Sequence, residues 1–88
     1  MEKNLYSILD IKSNLYSPPF IAQNDAIAIR MVMDILRNQD NNLSRYPEDH
    51  QLMLVGFWDE INGEIMGVEK APSLIDPVTK IKQLTEQK

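Results

Sequence analysis

There is no cysteine in this chain of 88 residues. Disulfides are therefore excluded, and a thiolate metal site with them. The single histidine, His50, cannot build a histidine-rich site either. Glycine is scarce: Gly56, Gly63 and Gly67 all sit near one hairpin, so no glycine loop is available to cradle a phosphate. No apolar run approaches the roughly 20 residues that span a bilayer. The opening Met1-Glu2-Lys3-Asn4 leads into a half-polar segment without the apolar core of a signal peptide, so the chain is expected to stay in the cytoplasm where it is made. Basic residues are in the minority, nine against thirteen acidic, for a net charge of −4. That balance argues against a strongly basic nucleic-acid binder, although a local patch can act inside an acidic chain.

What is present is an ordinary globular composition, 43% hydrophobic and 25% charged. The length makes one domain. A domain of this size buries only about 60–65% of the surface its unfolded chain exposes, so its stability is marginal without a helper. With disulfides and thiolate metal sites excluded, oligomerisation is the remaining helper, and a homodimer or higher oligomer is expected.

Residues 4–12 read as a strand, with Leu5, Leu9 and Ile11 on one face and Tyr6 and Ile8 on the other. Residues 13–23 read as a connection, in which Pro18-Pro19 removes two backbone donors and Phe20 plugs the core. Asn24 is a good helix cap. From Asp25 to about Asn38 the apolar stripe Ala28, Met31, Val32, Ile35, Leu36 has helical spacing. Gln39 to Asn42 forms a turn, and Pro47 suits the first position of one helical turn. Residues 51–58 and 64–69 read as a hairpin whose Asn62-Gly63 tolerates positive φ, and Gly56 inside the first strand suggests a bulge or a close backbone approach. Asp76-Pro77 is a helix start, with Val78, Ile81 and Leu84 on one stripe.

The expected architecture is α+β. A single domain over residues 1–70 has the order β-α-β-β, with a three-stranded antiparallel sheet, one helix on one face, and residues 71–88 as a C-terminal extension. Strand 51–58 is apolar on both sides. Met53, Val55 and Phe57 are expected on one face, and Leu52, Leu54 and Trp58 on the other. One helix covers one face, so Leu52, Leu54 and Trp58 are the candidate oligomer interface, facing the tail or a second copy.

No constellation points to catalysis. Glu48, Asp49 and His50 are adjacent in sequence, and adjacent side chains seldom converge; a solvated turn is the reading. Asp59, Glu60 and Glu64 flank the hairpin turn without the spacing of a calcium loop, so no metal and no cofactor are expected. Arg30 and Arg37 share a helix face, with Asp34 between them to engage one. Arg45 adjoins Tyr46, Lys12 follows the first strand, and Tyr6 and Tyr16 are the candidate stacking partners for unpaired bases.

Three segments, read together, resemble the small nonstructural protein of gokushoviruses, phages with circular single-stranded DNA. They are Leu5-Tyr6-Ser7-Ile8-x-Asp10; Pro18-Pro19-Phe20 with Asn24-Asp25-Ala26-x-Ala28-Ile29-Arg30; and Tyr46-Pro47-Glu48-Asp49 followed by Leu52-x-Leu54-Val55-Gly56-x-Trp58-Asp59-Glu60 and Gly63-Glu64-Ile65. Trp58 stands where another aromatic is expected, and Asn62 where threonine is. The segment after Val68 matches nothing in that pattern. The resemblance implies an accessory protein of the host bacterial cytoplasm, acting in the switch to single-stranded genome synthesis and likened to the small protein C of microviruses. It carries no catalytic residues over. It implies single-stranded DNA as partner, bound by an oligomer through Arg30, Arg37, Arg45 and Lys12 with Tyr6 or Tyr16. The alternative is an adaptor that docks a replication initiator or procapsid protein through an apolar sheet face or the tail.

Overall fold

The computed structural model describes residues 2–86; residues 87 and 88, the end of the expected extension, lie outside the described residues. Two long strands form the centre: β1 (Glu2–Asp10) and β4 (His50–Asp59). They pair antiparallel from Glu2↔Asp59 to Asp10↔His50. Short strands extend the sheet on both sides. β2 (Leu15–Tyr16) and β3 (Phe20–Ala22) both pair with β1. β5 (Ile65–Gly67) and β6 (Ser73–Pro77) both pair with β4. The six antiparallel strands therefore make an open sheet four strands wide, and the α+β class is the expected one.

Three of these strands were not expected, and each has a local cause. Pro18 and Pro19 have no N–H to give, so the chain leaves β1 after Ser17, whose N–H still donates to the Ile8 carbonyl at 2.8 Å, and rejoins it at Phe20, which divides the edge into β2 and β3. β6 lies in the expected extension. Its residues Ser73, Leu74, Asp76 and Pro77 pair with β4 across a bulge, and such a pairing leaves only a weak alternation in sequence.

Asn24 caps α1 (Asp25–Arg37), its side chain accepting from the Ile27 N–H at 2.9 Å. The buried line of α1 is Ala28, Val32 and Leu36, with Ile29 and Met33 packed beside it. Met31 and Ile35, expected in the stripe, stay largely exposed because the helix is rotated toward Ile29 and Met33. A short α2 (Asn42–Arg45) and a 3₁₀ turn at Pro47–Asp49 lead into β4. α3 (Val78–Thr85) starts directly after Pro77 and inserts Val78 and Ile81, both fully buried. The core thus lies between the helices and one sheet face: Tyr6, Ile8, Ala22 and Leu52 from the strands, Ala28, Val32 and Leu36 from α1, Val78 and Ile81 from α3.

The phase of β4 departs from strict alternation. Leu5 pairs with Gly56, but Tyr6 pairs with Leu54, so Val55 is an extra residue at a bulge. Paired residues share a face, so Leu52 and Leu54 join Phe57 beneath the helices, beside Ile8, Tyr6 and Asn4. Met53 and Trp58 fall on the opposite face, with Ser7 and Lys3. The expected grouping of Leu52 and Leu54 with Trp58 is corrected by that one extra residue.

Tyr6 ties the sheet to α1. Its hydroxyl donates to the Asp25 Oδ1 at 2.6 Å and accepts from the Asn4 Nδ2 at 2.9 Å, and its ring stacks on Phe20 with centroids 5.9 Å apart. Burial first, and then the Asp25 carboxylate, push the phenol up to about 12. A folded-state value above the unfolded one means that the native state holds its proton longer. The stabilisation is complete below about pH 10 and is lost as pH rises toward 12. Urea melts at pH 9 and pH 11 are expected to show a loss of about 1.3 kcal/mol. That loss shrinks in Tyr6→Phe; an equal loss in the variant would assign it elsewhere.

Candidate functional site

The face of the sheet opposite the helices is set by register. Lys3–Trp58–Ile65 forms one row, Ile21–Leu5–Gly56–Gly67 the next, then Ser7–Met53–Leu74, then Tyr16–Leu9–Gln51–Pro77. Leu5 and Met53 are buried at its centre, yet neither belongs to the helix-side core. Around them Ile65 is 69% exposed, Leu74 51%, Tyr16 46% and Ile21 42%. The exposed apolar side chains lie on the outer strands, Ile21 and Tyr16 on one side and Ile65 and Leu74 on the other, with buried Leu5, Ser7 and Met53 between them. Its charge is small: Gln51 and Ser7 are neutral, and Lys3 is paired with Glu60 at 3.1 Å. Gly67 leaves a notch in the second row, where a Cβ would meet nothing within 4 Å.

Of the expected interface residues, Trp58 lies half-buried on this face, whereas Leu52 is fully buried against the helices and Leu54 packs on the same core. Ile65, Leu74 and Ile21 were missed. Their signal was the pairing partner of each short strand, which a linear reading does not contain.

Two of the expected nucleic-acid contacts are engaged in ion pairs. Arg37 is held by Asp34 at 2.6 Å, the pairing anticipated from their spacing, and Arg45 is held by Asp40. Lys80 pairs with Asp76 at 3.2 Å. Arg30 and Lys12 are exposed and have no ion-pair partner among the described residues. Tyr6 is fully buried, so its ring offers no face to a base; this corrects its assignment as a stacking residue. Tyr16 is open.

A second concavity opens at the far end of the helix layer. Asp10 and His50 are cross-strand partners, which brings together two residues 40 positions apart. His50 is not in a solvated turn as expected: its ring is buried, with Nδ1 2.8 Å from the Tyr46 carbonyl and Nε2 4.0 Å from the Asp10 Oδ2. The other Asp10 oxygen accepts the backbone N–H groups of Lys12 and Ser13 at 2.9 and 3.3 Å. Those donors hold the carboxyl below the usual range, Ser13 contributing most. The pair borders a cavity of about 450 Å³ walled by Ile8, Leu15, Phe20, Ile35 and Leu43. Glu48 and Asp49 do not line it.

The acidic hairpin is structural. Gly63 takes φ 76°, and the Asp59 Oδ1 accepts from the Ile61 N–H at 2.9 Å and the Asn62 N–H at 3.4 Å. Among the described residues, no group of three or more histidine, aspartate or glutamate side chains is placed to hold a metal ion. Nor is any described helix long and apolar enough to cross a membrane.

Residues 3–81 match the family model described as Phage ORF5 protein. No curated protein and no solved structure matches the chain.

Proposed function

This chain belongs to the Phage ORF5 protein family, and on that premise we propose that it is a nonstructural adaptor in single-stranded DNA genome synthesis, docking a replication initiator or procapsid protein through the helix-free sheet face. The observation that carries this reading is the run of exposed apolar side chains in adjoining rows, Ile21, Ile65, Leu74 and Tyr16 around Leu5 and Met53. The phage setting comes from the family, and the step in genome synthesis from the likeness to the gokushovirus nonstructural protein.

The test is site-specific photocrosslinking in infected cells, with the crosslinker at position 65 or at position 30. The adaptor reading expects position 65 to trap a phage replication or procapsid protein, and Leu74→Glu to suppress that product. Trapping of a second copy of this chain alone would turn the face into a homo-oligomer interface. No product at position 65 would remove the face as a docking surface. Purified Leu74→Glu is expected to keep a melting temperature within a few degrees of the parent, because an exposed substitution away from the core changes stability by only about 0.5 kcal/mol.

Single-stranded DNA is the second reading, favoured by the free cations Lys12 and Arg30 and the open ring of Tyr16. Two phosphate contacts per chain give a salt slope of about −1.4 for single strands. Anisotropy of a labelled oligonucleotide across a salt series reads that slope directly. Insensitivity to Arg30→Ala together with Lys12→Ala would remove this surface.

A further inference from the structure

The cavity beside Asp10 and His50 holds two hydrogen-bond acceptors facing each other at one end, and Ser13, Tyr16, Ser17 and Asn42 also line it. The Tyr46 carbonyl can only accept, so the His50 Nδ1, 2.8 Å away, carries the ring hydrogen. In the neutral ring the Nε2 then presents a lone pair. It faces the Asp10 Oδ2 across 4.0 Å, too far for a direct hydrogen bond. The carboxylate is fixed in place, because its other oxygen already accepts from the Lys12 and Ser13 backbone. A nitrogen bearing several N–H groups fits this gap, since it can lie about 2.8–3.0 Å from both acceptors at once.

The walls narrow the choice further. Ile8, Leu15, Phe20, Ile35 and Leu43 line the approach. They offer an apolar sleeve to an aliphatic stem whose head is charged, the way lysine and arginine bury their methylenes. The volume, about 450 Å³, is within the range of about 300–1,000 Å³ common for ligand sites. At the Asp10–His50 end a phosphate or carboxylate group would meet a carboxylate and a lone pair, both repulsive. A purely apolar ligand would displace water from both acceptors and return no hydrogen bond. The chain's net charge of −4 adds a general attraction for cations.

We infer that this pocket receives a lysine or arginine side chain of a protein partner, its ammonium or guanidinium group bridging Asp10 and His50. The inference rests on the adaptor reading only for the source of that side chain. Of the residues named on the helix-free sheet face, Tyr16 also lines the pocket, but the tests at positions 65 and 74 and at Asp10 do not involve it, so each reading can fail alone.

The experiment is an NMR titration of the full chain with N-acetyl-lysine methylamide, N-acetyl-arginine methylamide and the neutral, nearly isosteric N-acetyl-norleucine methylamide. Saturable shifts of the His50 ring and of the Ile8, Leu15 and Leu43 methyls are expected with either cationic compound, and at least tenfold weaker with norleucine. Asp10→Asn is expected to cost tenfold or more in affinity. Its amide oxygen still accepts from Lys12 and Ser13, so the turn stays closed, which a dispersed amide spectrum checks. Equal response to norleucine, or no saturable shift with wild-type protein, overturns the proposal without reference to any variant. Unchanged affinity in folded Asp10→Asn overturns it as well. Tighter binding of 1,4-diaminobutane than of either blocked amino acid would overturn the protein source in favour of a free amine.

Discussion

A chain ending at Pro72 is expected not to fold cooperatively. The shortened protein loses β6, whose residues pair with β4 from Gln51 to Leu54, and loses α3 with it. Val78 and Ile81 are fully buried against the same core as Leu52 and Val32, so their removal uncovers the centre of the molecule rather than its rim. Each buried aliphatic side chain contributes about 1.5–3 kcal/mol. A domain of this length has on the order of 5–10 kcal/mol in total. Two such losses, with a strand's hydrogen bonds added, leave little or nothing. The single substitution Ile81→Ala is expected to cost about 2–5 kcal/mol by transfer and cavity terms together. Circular dichroism melts read both effects. A cooperative transition at the parent temperature in the truncated chain would show that residues 73–86 merely rest on an independent domain.

Gly56→Val is the second large effect. A Cβ at Gly56 would lie 2.4 Å from the Met66 carbonyl oxygen, a backbone atom that no rotamer change can move. β5 must therefore shift away from β4, and overpacking of this kind costs about 1–3 kcal/mol or more. The control lies directly across the ladder. Gly67 pairs with Gly56, and its Cβ would meet nothing within 4 Å. Gly67→Val is expected to be neutral or slightly stabilising, because valine suits a strand better than glycine. Urea midpoints for the pair give the comparison, and equal midpoints would mean that β5 is too loosely held for the clash to matter. Gly67→Val also fills the notch in the second row, so a partner seated there loses affinity while the fold does not.

The elements legible in the sequence are those governed by contacts within a few residues. Asn24 announces the helix it caps, Asn62-Gly63 announces the turn, and the pairing of Asp34 with Arg37 follows from helical spacing. Gly56 was readable as a bulge or a close approach, and it is both: the bulge lies at its neighbour Val55, and β5 passes close to its backbone. What stayed hidden depends on partners far along the chain. The extra residue at Val55 reverses the face of everything beyond it, so Leu52 and Leu54 were grouped with Trp58 although the bulge parts them. Tyr6 looked like an available aromatic ring until the buried bond to Asp25 closed it off. The Asp10–His50 site required the register of β1 against β4 across 40 positions. Proline chemistry explained why residues 13–23 could not be one strand; that they make two short ones depends on β1 offering a free side.

Both outer sides of the sheet are broken rather than continuous. On one, Pro18 and Pro19 separate β2 from β3; on the other, residues 68–72, with Glu69, Lys70 and Pro72, separate β5 from β6. A long unpaired row of N–H and C=O groups is a template onto which further chains add indefinitely, and interruptions of three and five residues, with proline and charge, prevent it. An apolar sheet face can thus stand open to solvent without its strands seeding ribbons of the same chain.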